Sequence, residues 1–235
     1  MSDQEGRMSG NRFERKFVIS NRPRQNIEMV VKTHPGIFSE IFHERYVNNI
    51  YLDTPNLTYF FENNLGKSQR KKVRIRWYGD LFGKISKPVL EFKIKSGAVG
   101  YKVSFLLCPF DLNEDFDLEV LKLVFNESSL PPWVINELAG LEPKLLNGYT
   151  RKYFRSFDRK FRVTIDNDLH YRDIQKRNNT YLKKTSNYKD IIFELKYDFN
   201  DDDEAESISS SFPYRLTRSS KYVNGISSFY INLAV

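Results

Sequence analysis

The sequence predicts an α+β protein: an antiparallel sheet closed into a β-barrel, charged inside, with helices packed on the outside. Three observations carry this. Aromatic residues make up 15% of the chain, with 19 Phe and 14 Tyr, and aromatics favour strands. Short segments alternate strictly between apolar and polar residues, the two-residue period of a strand. The polar side of that alternation is almost all charged, and mostly basic. The chain has 235 residues, 40% of them hydrophobic and 29% charged, which is the composition of a folded globular protein with a real core. Residues 1–10 read as a disordered polar tail and residues 11–235 as a single domain.

The elements follow in order. RFERKFVIS (12–20) is predicted as a strand. Pro23 opens a helix that carries Ile27, Val30 and Val31 on one face and breaks at His34-Pro35-Gly36. RYVNNIYLD (45–53) is a strand; Thr54-Pro55 reads as a cap and first turn of a helix ending at Gly66. Strands follow at 71–79, 87–97 and 97–105, then a helix over 112–125 and a short one from Pro131-Pro132 to before Gly140. Residues 147–157 and 160–168 form a hairpin through Asp158-Arg159, and 190–198 is the last strand. The acidic stretch 198–207 reads as a solvated loop, and 207–225 as helical.

Composition excludes several functions. Cys108 is the sole cysteine, so no internal disulfide or multi-cysteine metal site is possible. His34, His43 and His170 lie far apart in sequence, and no metal cluster is readable from them. No apolar run approaches the ~20 residues of a membrane span, and the start has no signal-peptide core, so the expected location is cytoplasmic. A formal charge of +7 points to an anionic partner.

In 71–78, Val73, Ile75 and Trp77 alternate with Lys72, Arg74 and Arg76. In 90–95, Leu90, Phe92 and Ile94 alternate with Glu91, Lys93 and Lys95. Phe161, Val163 and Ile165 oppose Arg162, Thr164 and Asp166; Phe193, Leu195 and Tyr197 oppose Ile192, Glu194 and Lys196. The first strand sets Phe13 and Phe17 against Arg12, Glu14 and Lys16. An antiparallel sheet with one wet face also alternates in this way. Yet two like charges ~4 Å apart repel by about 4 kcal/mol at an effective dielectric near 20, so a plain sheet stacking Arg and Lys would be destabilised. A barrel with the basic ladder inward relieves this when a polyanion occupies it. Nucleic acid is not expected, because base stacking needs aromatics on that face and these alternate to the other. A phosphate chain needs only positive charge and the fork of Arg, and the carboxylates would then hold Mg²⁺ or Mn²⁺. The chemistry so indicated is phosphoryl transfer or hydrolysis on a tri- or polyphosphate, with non-catalytic polyanion binding as a third class.

The same residues resemble a known family. Arg12-Phe13-Glu14-Arg15-Lys16-Phe17 is similar to the first-strand motif of the VTC (vacuolar transporter chaperone) polyphosphate polymerase domain, within the CYTH or triphosphate tunnel metalloenzyme superfamily. The resemblance continues through Asn49-Ile50-Tyr51-Leu52-Asp53-Thr54, Lys72-x-Arg74-x-Arg76, Glu91-x-Lys93, Gly100-Tyr101-Lys102, Tyr149-x-Arg151, Arg162 to Asp166, Glu194-Leu195-Lys196 and Ser220-Lys221-Tyr222. It implies an eight-stranded tunnel in which the ATP γ-phosphate passes to a growing polyphosphate chain. It implies that Lys16, Arg74, Arg76, Lys93, Lys102, Arg151 and Arg162 act on the phosphates, with Arg12, Lys72, Lys95, Lys196 and Lys221 as further phosphate contacts. Glu194 would be the main ligand of Mn²⁺ or Mg²⁺, with Glu14 and Glu91 as weaker candidates. Asp166 and Asp168 read as metal-binding or as turn residues. Hydrolytic members typically show Glu-x-Glu-x-Lys on the first strand; Arg12 stands at the first of those positions, which favours the polymerase over the triphosphatase. The eukaryotic polymerases carry an SPX regulatory domain and a membrane segment. Neither is readable here, so the chain is expected to be a stand-alone catalytic domain whose membrane partner, if any, is undefined.

Overall fold

The computed structural model describes residues 7–9, 12–97 and 99–230. In chain order the elements are β1 (Arg7–Ser9), β2 (Arg12–Ser20), α1 (Arg24–Lys32), β3 (Ser39–Asp53), α2 (Thr58–Asn64), β4 (Gln69–Tyr78), β5 (Gly83–Ile85) and β6 (Val89–Ser96). They continue as β7 (Val99–Leu106), β8 (Phe110–Leu112), α3 (Leu118–Glu127), α4 (Pro132–Leu138), β9 (Glu142–Arg155) and β10 (Arg162–Asp173). The last are β11 (Lys184–Asn187), β12 (Asp190–Asp198), a 3₁₀ turn (Phe199–Asp201), α5 (Asp202–Ser210) and α6 (Lys221–Phe229). Local chemistry sets the helix starts. Pro23 precedes α1 and Pro132 opens α4. The Asp117 and Ser220 side chains accept from the backbone N–H groups of Val120 and Val223, capping α3 and α6.

The main sheet runs β1-β7-β6-β4-β3-β9-β10-β12-β2, with β11 added beside β10, and β5 pairs β8 apart from it. Every pairing is antiparallel. Two of its strands, β1 and β11, are short; the other eight are eight to fifteen residues long. The two ends of the path are β1 and β2, yet Ser9 and Arg12 are only three positions apart in the chain, a reach of at most ~11 Å. The sheet must therefore curl until its edges meet. Side chains agree. On a flat sheet β2 and β4 would be five strand spacings, roughly 24 Å, apart. Instead Lys16 on β2 reaches the carbonyl of Ser219 (3.3 Å) and Lys72 on β4 reaches the hydroxyl of Ser220 (3.0 Å). Among the described residues no backbone ladder joins β2 to β7, so the curl carries an open seam and the closed barrel predicted from sequence is not seen as a closed ladder.

The apolar face of the sheet is covered by helices. Val73, Ile75, Trp77, Leu90 and Phe92 pack under α3 and α4 through Leu121, Val124, Phe125, Val134 and Leu138. Phe17, Val163, Ile165, Phe193 and Leu195 pack under α1 and α5 through Ile27, Val31 and Ala205. The third cluster differs. Its Tyr51 shares a face with Arg74, directly opposite it in register, so this cluster lies on the charged side. Tyr51, Leu145, Tyr149, Tyr171 and Ile192 there receive Tyr222 and Ile226 of α6 and Phe60 of α2. Gly225 makes this approach possible, because a Cβ there would collide with the side chains of Leu145 and Tyr171. α6 thus packs within the curl on an apolar bed.

The structure changes several sequence expectations. Arg7–Ser9, within the expected tail, form β1 by pairing with β7; residues 1–6, 10 and 11 lie outside the described set. β3 starts at Ser39, six positions before the expected Arg45. α2 starts at Thr58, one turn later than expected; the Asp53 carboxylate accepts from the backbone N–H groups of Tyr59 and Phe60, and the Thr54 hydroxyl accepts from that of Thr58. α3 starts at Leu118, after the short β8. The acidic stretch is not a loop. Asp202, Asp203 and Glu204 fill the first turn of α5, where carboxylates favour the helix dipole, and Ala205 and Ser209 are buried. His170 lies on β10, with Nδ1 2.9 Å from the Ser186 hydroxyl. β5, β8 and β11 are too short to show as periodic segments.

Candidate functional site

Register places the charged side chains opposite one another. Arg74 faces Glu91 and Lys72 faces Lys93; Lys93 in turn faces Lys102. Arg151 faces Asp166, Thr164 faces Glu194, Glu194 faces Lys16, and Lys196 faces Glu14. Lys221 enters from the first turn of α6. The face is enclosed: Arg74, Glu91, Arg151, Asp166, Glu194 and Lys221 are all buried.

Two ion clusters organise it. In the first, Glu91 accepts from Arg74 Nε (2.7 Å) and Nη2 (2.6 Å) and from Lys102 (2.9 Å), with Arg76 Nη1 at 3.8 Å. Burial alone would raise the Glu91 carboxyl, but Arg74, Arg76 and Lys102 hold it far below the usual carboxylate range. Arg76 is aimed further by Asn49 Oδ1 (3.0 Å) and the Tyr149 hydroxyl (3.1 Å). In the second cluster Asp166, fully buried, takes a two-pronged contact from Arg151 (2.5 and 2.6 Å) and one from Lys221 (2.5 Å). Glu194 meets Lys196 (2.6 Å), Lys16 (3.3 Å), Arg151 (3.4 Å) and Lys221 (3.8 Å). Burial works against the Glu194 charge, and these four cations outweigh it. Glu14 meets Lys16 at 2.8 Å; despite burial and the nearby Glu194 charge, Lys16, Lys196 and Lys93 lower its carboxyl to about 2.

Two cations stand outside these clusters. Among the described residues no hydrogen bond or ion pair reaches Lys93, and burial together with Arg74 holds its ammonium well below the ordinary lysine value. Lys72 has only the Ser220 hydroxyl; burial, then the Lys16 charge, lowers it to about 7. Desolvated positive charge facing positive charge, with carboxylates already committed elsewhere, makes a space that an anion stabilises.

The structure therefore gathers Glu14, Lys16, Lys72, Arg74, Arg76, Glu91, Lys93, Lys102, Arg151, Glu194, Lys196 and Lys221 around one enclosed face. Lys95 is half-buried at the end of the same ladder, opposite Arg70 and Gly100. Arg162 is exposed at the start of β10, opposite Lys196 and Arg155. The Arg12 side chain lies outside the described residues. Sequence reasoning undervalued Asp166: it is no turn residue but the central counter-charge of Arg151 and Lys221. Its place two and four positions beyond Thr164 and Arg162 on one strand was the available signal. Asp168 does lie at the bulge of β10, with φ +53°. Asn49, Tyr149 and Ser220 fall within the motifs quoted above, but no role in the site is readable for them from sequence.

A divalent ion would need hard oxygen donors. Among the described residues no group of three His, Cys, Asp or Glu side chains could hold one unaided. Glu14 and Glu194 nevertheless flank one point, which the Lys16 ammonium occupies at 2.8 and 3.3 Å. Two carboxylates on neighbouring strands focused on one cation are hard oxygen donors of the kind a divalent ion would take. Glu91 fits less well, since both its oxygens are engaged by Arg74 and Lys102.

A curled antiparallel sheet with a buried charged face, and helices over its apolar side, defines a tunnel-type domain. The VTC domain model matches residues 11–230, and the chain belongs to the VTC domain family. In fold it is similar to a protein from Vibrio parahaemolyticus named as a candidate adenylate cyclase: TM-score 0.50, 13% identity, 92% of this chain and 98% of that one covered. A protein from Pyrococcus horikoshii OT3 aligns at TM-score 0.45 and 14% identity over 94% of this chain and 99% of that one. Curated protein sequences yield no match. No described helix is long and apolar enough to cross a membrane.

Proposed function

We propose that this chain transfers the terminal phosphoryl group of ATP onto a polyphosphate chain held on the buried basic face. The observation that carries the reading is the pair Lys72 and Lys93, with which no carboxylate pairs among the described residues, beside the fork-shaped donors Arg74, buried, and Arg76, half-buried. Such a face favours a linear polyphosphate, whose repeated charges meet repeated cations. The attacking group is a terminal phosphate oxygen of the acceptor, already ionised, so no protein base or nucleophile is required. It bonds to the γ-phosphorus, the bond from that phosphorus to the β–γ bridging oxygen breaks, and ADP leaves with the electron pair. Arg74, Arg76, Lys93, Lys102 and Arg151 would hold the reacting phosphates in line and offset the charge spread over the equatorial oxygens. Mn²⁺ or Mg²⁺, held by Glu194 and Glu14, would supply further charge neutralisation at the phosphate oxygens. Asp166 and Glu91 keep the basic side chains extended and aimed.

Arg12 in place of a carboxylate supports transfer over two-metal hydrolysis. Incubation with ATP and Mn²⁺ tests the reading: ADP and a phosphate polymer resolved on a gel are expected. Orthophosphate with no polymer would assign a hydrolase instead, and binding without turnover would assign a polyanion-binding module.

A further inference from the structure

The charged face continues into an aromatic rim. β4 carries Lys72, Arg74 and Arg76 on its inner side, and the next residue on that side, two positions or about 6.6 Å beyond Arg76, is Tyr78. Beside it β3 projects past the buried part of the sheet: residues 39–44 are exposed or half-buried, while 47–53 are buried. Arg45, in this projecting half, lies opposite Arg151 in register. Its guanidinium stands over three rings, Phe42 at 4.4 Å and Tyr78 and Tyr153 at 5.6 Å each. Phe42 and Tyr153 meet edge to face at 5.7 Å. Arg151 in turn lies 5.9 Å from the Tyr153 ring, so the rim connects to the ion clusters. A cleft of about 430 Å³ opens there, lined by His43, Glu44, Arg45, Tyr46, Tyr78 and Gly79.

This arrangement is unlike the rest of the face. Phe42 is 46% exposed and Tyr78 52%, so two large rings that share Arg45 as a neighbour both reach water. Among the described residues no carboxylate pairs with Arg45, whose only partners are rings. Glu44, which also lines the cleft, is paired with Arg24 at 2.5 Å. A bare phosphate chain gains nothing from the rings. A flat π-system gains from both the rings and the guanidinium plane.

We infer that this rim is a stacking platform for the base of the nucleoside triphosphate donor, formed by Tyr78, Phe42 and Arg45. The inference rests on the proposed ATP-dependent function. Phosphates gripped at Arg76 leave the nucleoside one strand repeat to travel to Tyr78. The rim offers π-surface and a guanidinium plane, and stacking reads no base edge, so purines are preferred to pyrimidines without selection between adenine and guanine.

The test compares ATP with inorganic tripolyphosphate, which has the phosphates but no base, by calorimetry on the unmodified chain and on Tyr78→Ala, Tyr78→Phe and Arg45→Ala. Loss of one stacking partner lowers the ratio of ATP to tripolyphosphate affinity roughly 5- to 100-fold in Tyr78→Ala, and Tyr78→Phe retains it. Arg45→Ala lowers the ratio as well, and ATP outcompetes CTP on the unmodified chain but not on Tyr78→Ala. An unchanged ratio in both alanine variants overturns the platform and leaves the basic face standing. Unmodified protein that binds tripolyphosphate but not ATP does the same; unmodified protein that binds neither overturns the proposed function together with the platform.

Discussion

Replacing Glu91 by Gln removes one negative charge from the middle of three cations while keeping the side chain's shape. Arg74 Nη2, Lys102 Nζ and Arg76 Nη1 lie 2.6, 2.9 and 3.8 Å from the Glu91 oxygens. At an effective dielectric near 20 each pair represents about 4–6 kcal/mol of gross attraction. Most of that is offset by the cost of desolvating the carboxylate, but its removal strands buried guanidinium and ammonium groups. Breaking a buried pair in this way costs about 3–5 kcal/mol. For a chain of 235 residues that becomes a fall in Tm of roughly 6–20 °C. The distinctive part concerns ligand. A polyanion replaces the lost counter-charge, so saturating tripolyphosphate should restore more of the Tm in Glu91→Gln than it adds to the unmodified chain. Differential scanning fluorimetry with and without tripolyphosphate reads both effects. A fall below about 2 °C would show that Glu91 is not a needed counter-charge. A large fall that tripolyphosphate leaves untouched would show that this face does not take polyanions.

Further expectations follow from the same geometry. Glu194→Gln should lower turnover by roughly 10²–10³ with ATP still bound, as for loss of one preorganised charge; unchanged turnover in a steady-state assay would remove Glu194 from the chemistry. Arg76→Ala should weaken tripolyphosphate by about 1.5–3 kcal/mol, the range of a hydrogen bond to a charged group, and calorimetry showing equal affinity would place Arg76 outside the site. Binding should depend on pH. Burial and Lys16 lower Lys72 to about 7, against an ordinary 10.5, so without ligand it is largely neutral above pH 7. An entering polyanion favours its charged form, so binding takes up a proton and weakens from pH 7 to 9; equal heats at pH 8 in two buffers of different ionisation enthalpy would contradict this. The sign for folding is the reverse of the usual lysine case. Between about pH 7 and 10.5 the unfolded chain binds the extra proton, so this group makes the unliganded fold more stable as pH rises through that window.

Much of this protein was legible before any fold was known. Strand alternation sorted Lys72, Arg74 and Arg76 from Val73, Ile75 and Trp77 because a pleat turns successive side chains to opposite sides. The cost of stacking like charges on a wet sheet argued that the basic side is enclosed, and the buried Arg74 and Arg151 agree. Partnership was not legible. Whether Glu91, Asp166 or Glu194 is a counter-charge or a ligand depends on which cations stand within 4 Å, and those come from other strands and from α6. Lys221 reaches Asp166 across 55 positions of sequence, a contact made by helix packing on Tyr51, Leu145 and Tyr171 and not by any local pattern. The acidic run after β12 was misread because its charges are equally at home in a loop; only the burial of Ala205 and Ser209 against the sheet makes it a helix. Local period decides which side of a strand a residue takes. The curl, which brings β2 round toward β4 and β6, decides what that side meets, because only the tertiary structure joins residues that the flat sheet would keep tens of ångströms apart.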